Sequence, residues 1–286
     1  MSASYPSGWH QWADLRRPYT HQDRSHRPPP HQPDLKIGAV VAAKNETATI
    51  GRVVTELKRL GAAEILAVVN GAVDDTAVHA RDAGAKVLVF ADPLGHDIGK
   101  AVGARVVTGD VVLFLDADFV VPAADLQPFV DTIAGGSDVA LNDLRTLGTS
   151  WHGNDLPHLI PAAACLLNHI LDRPDLGANS LTISPYALSR RACAEIGPHL
   201  GVPPLAQAMA VEMGLAVANS GLVDVYTLNR HRPQLHAGEG KETIWRLILG
   251  DFLEATNYIL NKKGPRGGCA DLGRRRESIP EVTEHR

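Results

Sequence analysis

Between Val111 and Leu115 five apolar residues run without a break, and the run stops at Asp116-Ala117-Asp118. An unbroken apolar run of this length suits a strand buried on both faces of a parallel sheet. Ligands of open α/β sheets bind beyond the carboxyl ends of the strands, which is where Asp116 and Asp118 would stand. Two carboxylates one residue apart repel each other unless a cation sits between or beside them. The pair therefore reads as the seat of a hard divalent ion holding a diphosphate. It also fits a strand end with an aspartate-capped turn, and the rest of the chain has to decide.

Upstream, strands and helices alternate. Residues 37–43, 64–69 and 86–90 read as short strands. Ile50, Val53, Val54, Leu57 and Leu60 recur at helical spacing, with Thr47 or Thr49 as a cap and Gly61 as the stop. Further helices are expected over 76–83 and from Gly99-Lys100 to Val107. This order indicates βαβ units and an α/β fold with a mostly parallel sheet flanked by helices.

After Asp118 the spacing predicts helices at 122–133, 156–171, 189–196 and 206–218, and strands at 138–144, 181–184 and 222–228. A long amphipathic helix over 241–261 carries an apolar stripe too wide to leave in water, so the body or a second copy in a homodimer should cover it. Residues 1–34 hold Pro28-Pro29-Pro30 and scattered histidines but few apolar side chains, and read as a disordered tail. Residues 264–286 are Gly- and Arg-rich and read as a flexible one. Between them lie a nucleotide-binding half, 35–145, and an acceptor-side half of the same domain, 146–263.

Composition removes several classes. A net charge of -4 leaves no general nucleic-acid footprint. Cys165, Cys193 and Cys269 have neither disulfide-framework nor zinc spacing, which fits a reducing cytoplasm. No apolar run of transmembrane length and no signal peptide is visible.

The order of short segments resembles the nucleotide-sugar domain of family 2 glycosyltransferases, the GT-A fold. Ala42-Ala43-Lys44-Asn45-Glu46 stands where that family has a P-x-x-N-E turn. Val69-Asn70-Gly71-Ala72-Val73-Asp74-Asp75-Thr76 is similar to its V-D-D-G-S-T-D turn, with Asn70 in place of an aspartate. Gly99-Lys100-Ala101 with Arg105 resembles its G-K-x-x-A segment, and Asp116-Ala117-Asp118 its D-A-D. The resemblance covers 36–145 well and the remainder loosely. Val211-Glu212-Met213-Gly214-Leu215 and Asn229-Arg230-His231-Arg232-Pro233 resemble segments of glucosyl-3-phosphoglycerate synthases. Ser180-Leu181-Thr182-Ile183-Ser184 with Arg190-Arg191 resembles the segment that shapes acceptor and donor-sugar sites.

The resemblance implies a metal-dependent hexosyltransferase that takes a sugar from a nucleoside diphosphate, UDP-glucose first, to an unidentified acceptor such as a small phosphorylated or polar metabolite. It places Ala43, Asn45, Glu46, Asn70, Asp74, Lys100, Asp116, Ala117 and Arg232 at the donor. Glu46 would accept from ribose hydroxyls, Asn70 would read a pyrimidine edge, and Lys100 and Arg232 would face the diphosphate. Asp74 is as well explained by a structural Asx turn. Mg2+ or Mn2+ would sit on Asp118 and His231, with His236 as the alternative. Asp116 would hold ribose or a metal-bound water. Glu212 is a catalytic or substrate-orienting candidate, unless a cation such as Arg190 or Arg191 pairs with it.

Two rivals remain. A sugar-phosphate nucleotidyltransferase needs a Gly-rich basic loop after the first strand, and Ala42-Ala43-Lys44-Asn45-Glu46 has no glycine. A non-catalytic nucleotide-binding protein would have no use for the intact Asp116–Asp118 pair.

Overall fold

The computed structural model describes residues 35–145, 156–228 and 244–275. Arg232, His231 and its alternative His236 lie outside these, as do the tail residues 1–34 and 276–286.

The first half alternates as expected. Strands β1 (Ile37–Ala43), β2 (Glu64–Asn70), β3 (Lys86–Phe90) and β4 (Val111–Asp116) are separated by helices α1 (Ile50–Arg59), α2 (Thr76–Asp82) and α3 (Ile98–Val106). Helix α4 (Ala123–Ala134) and strand β5 (Val139–Leu141) follow, then α5 (Leu156–Ile170), β6 (Tyr186–Ser189) and α6 (Arg190–Ile196). Helix α7 (Pro203–Glu212), β7 (Val217–Asn219), the single turn α8 (Val225–Leu228) and α9 (Ile244–Lys263) complete the described chain.

The seven strands form one sheet in the order β3-β2-β1-β4-β6-β5-β7. β1 pairs in parallel with both β2 and β4, and β2 with β3. Only β6 runs against its neighbours. From β1 the chain steps outward to β2 and β3, then returns to the other side of β1 as β4. The switch point thus lies between β1 and β4, where Ala42 is level with Asp116.

β4 is buried on both faces, as its unbroken apolar run demands. Val111, Leu113 and Leu115 pack with Ala39 and Val41 under α1 and α4. Val112 and Phe114 pack with Val40 and Val68 under α3 and α6. The approach of α3 to β1 depends on Gly103, where a Cβ would collide with Val40. A third apolar cluster joins α9 to α5 and α7 through Ile248, Phe252, Ala255 and Ile259. The centre of the long helix's stripe is therefore covered by the body of the chain itself, while Leu247 and Leu253 on its flanks remain exposed. No helix among the described residues is long and apolar enough to cross a membrane.

The second half departs from the expected elements, each time for a local reason. Residues 181–184 are not a strand, because the Leu181 amide donates to the buried Gln207 side chain at 2.9 Å. The strand begins only past Pro185, which has no N–H for a ladder. Ser189 is not in the following helix but caps it, accepting from the Ala192 amide at 3.0 Å. The strand expected over 138–144 is only Val139–Leu141, after which the Asn142 side chain bonds the Val223 backbone. The helix expected over 206–218 stops at Glu212, just before Gly214 at φ 72°. Residues 222–228 hold a helical turn instead of a strand, opened by Asp224 accepting from the Tyr226 and Thr227 amides. Thr49 stands at the start of α1, yet its hydroxyl donates to the Glu46 carbonyl instead of capping the helix.

Candidate functional site

The carboxyl ends of β1, β2 and β4 bring together most of the residues expected at the donor. Ala43 closes β1, level with Val69 of β2, and is buried. Asn45 has φ 57°, a left-handed conformation that asparagine tolerates better than most residues. This turns its side chain back, so that Oδ1 accepts from the Val73 amide at 2.9 Å. Glu46 is buried, and its amide donates to Thr76 Oγ1 at 2.7 Å. The turns after β1 and β2 are thereby laced into one wall.

Asp74 completes that wall. It accepts from the Thr47 hydroxyl at 2.5 Å and from the Thr76 amide at 3.1 Å, the second being an Asx turn. Burial opposes its ionisation, but the bonds from Thr47 and Thr76 outweigh it and hold the carboxyl below its usual range. Asn70 spans the next gap. Its Nδ2 donates to the Gly95 carbonyl at 2.9 Å and its Oδ1 accepts from the Leu94 amide at 2.6 Å. The amide expected to read a base edge thus also fastens the loop after β3. Next to it Gly71, at φ 66°, lies so close to Pro93 that a Cβ would approach it to 2.7 Å.

Lys100, the cation expected at the diphosphate, is tied to two carboxylates. It is 2% exposed, with its ammonium 3.1 Å from Asp97 and 3.1 Å from Asp116. The Tyr186 ring lies 6.0 Å from it and stacks on Phe114 at 5.0 Å between centroids. Burial opposes the ammonium's charge, but Asp116 and Asp97 more than compensate and raise its pKa. The same pairing overcomes burial at Asp116 and lowers its pKa. Asp116 nevertheless keeps 36% of its side chain exposed, so one edge of the carboxylate faces the crevice. Ala117 is buried, and its amide donates to the Ala42 carbonyl at 2.9 Å, locking the turn that presents Asp118.

Asp97 and Tyr186 were not legible as site residues, and Ser184 only as part of the segment from Ser180 to Ser184. Asp97 stands three residues before Lys100 at a helix start, a spacing that could have flagged the ion pair. It adopts φ 59° and also lies 3.3 Å from His96. Ser184 reaches Asp116 only through the antiparallel return of the chain, which sets Tyr186 level with Phe114. A buried polar network fixes that segment. Gln207 donates to Asn168 at 2.8 Å, and Asn168 donates to the Gly177 and Asn179 carbonyls.

Two further expected groups have partners of their own. Arg190 and Arg191 follow Ser189, which is level with Val111 at the opposite end of β4. There Arg190 donates to the Val107 carbonyl at 2.9 Å and Arg191 lies 3.6 Å from Asp138. Glu212 ends α7, whose preceding turn touches Ile98 at the start of α3 through Gly201. Glu212 pairs with Lys263 of α9 at 3.3 Å, not with Arg190 or Arg191.

The donor set suits a hard divalent ion. Among the described residues no cluster of three or more histidines, cysteines or carboxylates could enclose a metal. Asp116 and Asp118 offer two carboxylates at an open crevice, the arrangement by which Mg2+-type ions are held when substrate phosphates and water complete the shell.

Residues 39–192 match the family model described as glycosyl transferase family 2. Glycosyltransferase AglJ of Haloferax volcanii is 33% identical over 102 residues, a match spanning 35% of this chain and only 33% of that protein. Glucosyl-3-phosphoglycerate synthase from Mycobacterium tuberculosis, solved with phosphoglyceric acid, superposes with a TM-score of 0.60 at 23% identity, covering 78% of this chain and 80% of that one. The same enzyme solved with Mn2+, uridine diphosphate and phosphoglyceric acid gives 0.58 at 22% identity, covering 77% and 78%. At such identities the likeness speaks for the fold.

Proposed function

Since the chain belongs to glycosyl transferase family 2, we propose that it is a nucleotide-sugar glycosyltransferase whose donor is a uridine diphosphate sugar, UDP-glucose first. The observation that carries this reading is the Asp116–Asp118 pair at the β1/β4 switch point, walled by the joined turns after β1 and β2. The neighbours solved with Mn2+ and uridine diphosphate support the choice of base and ion. So does one solved with UDP-glucose. The acceptor is proposed as a small phosphorylated or polar metabolite, in keeping with the phosphoglyceric acid bound by those neighbours.

In this reading Mg2+ or Mn2+ would be held by Asp118, with His231 or His236 and Asp116 as the chain's other contributors. The ion supplies charge neutralisation for the leaving diphosphate. Lys100 acts behind Asp116, holding its carboxylate ionised and oriented. Glu46 and Asn45 fix the wall against which ribose and base lie, and Asn70 holds the loop that closes beside the base.

A thermal-shift panel of UDP, UDP-glucose, GDP and GDP-mannose, each with and without Mn2+, tests the proposal. At a hundredfold excess over Kd the expected stabilisation is about 2.7 kcal/mol, a rise of roughly 5–10 °C for a domain of this size. UDP-glucose with Mn2+ should give the largest shift. A guanosine ligand that stabilises where uridine ligands do not would overturn the base, and equal shifts with and without Mn2+ would overturn the metal.

A further inference from the structure

We propose that the cleft between α3 and α6, at the opposite end of β4 from Asp116, is a binding site for a small oxyanion. A cavity of about 380 Å³ opens there, lined by Ala104, Arg105, Arg190, Cys193, Ala194 and Pro198. That volume lies within the range of small-molecule sites. Val111 to Asp116 spans roughly 16 Å of strand, so a ligand here is separate from the donor.

The chemistry of the lining is one-sided. Two guanidinium side chains border the cavity and no carboxylate does, although Asp and Glu outnumber Lys and Arg by 32 to 28 in the chain. Among the described residues Arg105 and Arg190 have no ion-pair partner, whereas the adjacent Arg191 has Asp138. Arg190 is also preorganised, because the Val107 carbonyl accepts from one of its terminal nitrogens at 2.9 Å. Its remaining donors form a fork of fixed orientation, the geometry that suits phosphate and carboxylate oxygens.

The floor is short and rigid. Ala104 and Ala194 leave room above the backbone, and a Cβ at Gly197 would come within 3.0 Å of Ala104, so α3 and the turn at Gly197–His199 already touch. Cys193 adds an uncharged wall. Burial pushes its thiol up to about 12, against the opposing effect of Arg190, so no thiolate competes with an incoming anion. An oxyanion held between the two exposed arginines, with a short uncharged body over the alanines, matches the charge and size of this lining.

Calorimetric titration of the full chain in metal-free buffer tests this, with inorganic phosphate, glycerol 3-phosphate and succinate as probes. Saturable binding is expected, equal in the wild type and in Asp118→Asn, and weakened about tenfold or more in Arg105→Ala. Arg105 is the primary variant because Arg190 also ties down the loop before β4. Arg190→Lys, which keeps the charge and loses the fork, should weaken binding by a smaller factor. Preference for glycerol 3-phosphate would make the ligand a phosphate ester, and preference for succinate a carboxylate. No saturable binding of any probe would overturn the site. So would binding indifferent to Arg105→Ala, or binding lost in Asp118→Asn alone.

Discussion

The half of the sheet built from β1 to β4 and the half that follows it carry comparable numbers of short motifs, but they place them differently. In the first half most motif residues stand beyond the ends of parallel strands and converge on one crevice, Arg105 on α3 being the exception. In the second half β6 reverses direction, and its motif residues divide between the two ends of the sheet. Ser184 arrives beside Asp116, while Arg190 and Arg191 end up level with Val111. A motif in a run of parallel strands is located by its own strand, whereas one beside an antiparallel return is located by a partner far away in sequence.

The comparison breaks most visibly at Lys100. Its ammonium bonds both Asp97 and Asp116, so Lys100→Met takes the buried cation from two carboxylates. A loss of about 3–5 kcal/mol is expected, seen as a fall of roughly 10 °C in melting temperature. Asp97→Asn added to Lys100→Met should recover part of it. If Lys100→Met melts like the wild type but no longer binds UDP, Lys100 belongs at the diphosphate after all.

Asp118 should behave in the opposite way. Asp118→Asn keeps the melting temperature and lowers Mn2+-dependent UDP affinity by about a hundredfold, measured by calorimetry. Unchanged affinity would move the metal away from the end of β4.

Glu212 sharpens the contrast from the second half. Because it bridges α7 to Lys263 of α9, Glu212→Gln should cost about 1 kcal/mol, or roughly 2–4 °C. UDP affinity and the slow hydrolysis of UDP-glucose should not change. A large loss of turnover at constant melting temperature would return Glu212 to the active site.

The smallest effects are pH-dependent and of opposite sign in the two halves. Glu64, on β2, is lowered from 4.5 to about 2, where burial is outweighed by bonds from Lys86 and Thr108. Its contribution is fully present above about pH 4.5 and is lost as pH falls toward 2, so Glu64→Gln should flatten acid destabilisation in that window. Asp251, on α9, is raised from 3.8 to about 6 by burial and by the nearby Asp97 and Glu254. Its folded form holds the proton more tightly, so it costs stability as pH rises from 3.8 through 6. Asp251→Asn should therefore raise the melting temperature at pH 8 and leave it unchanged at pH 3. A melting temperature equally raised at both pH values would assign the gain to packing.

What the sequence determined by itself was local. The unbroken run Val111–Leu115 required a strand buried on both faces, and the alternation of strands and helices before it required a parallel neighbour on the β1 side. With those in place Asp116 and Asp118 had to stand at an open strand end. The stops of the later elements were decided by side chains that no periodicity reveals, such as Gln207 taking the Leu181 amide and Asp224 capping a turn. Only the tertiary structure decided which charge meets which. Lys100 reads as an exposed cation at a helix start until Asp97 and Asp116 are brought to either side of it and Tyr186 closes over it. Glu212 reads as a carboxylate in want of a cation until α9 delivers Lys263. Strand runs and turns are fixed by neighbours along the chain, but the partner of a buried charge is fixed by strand register and helix packing.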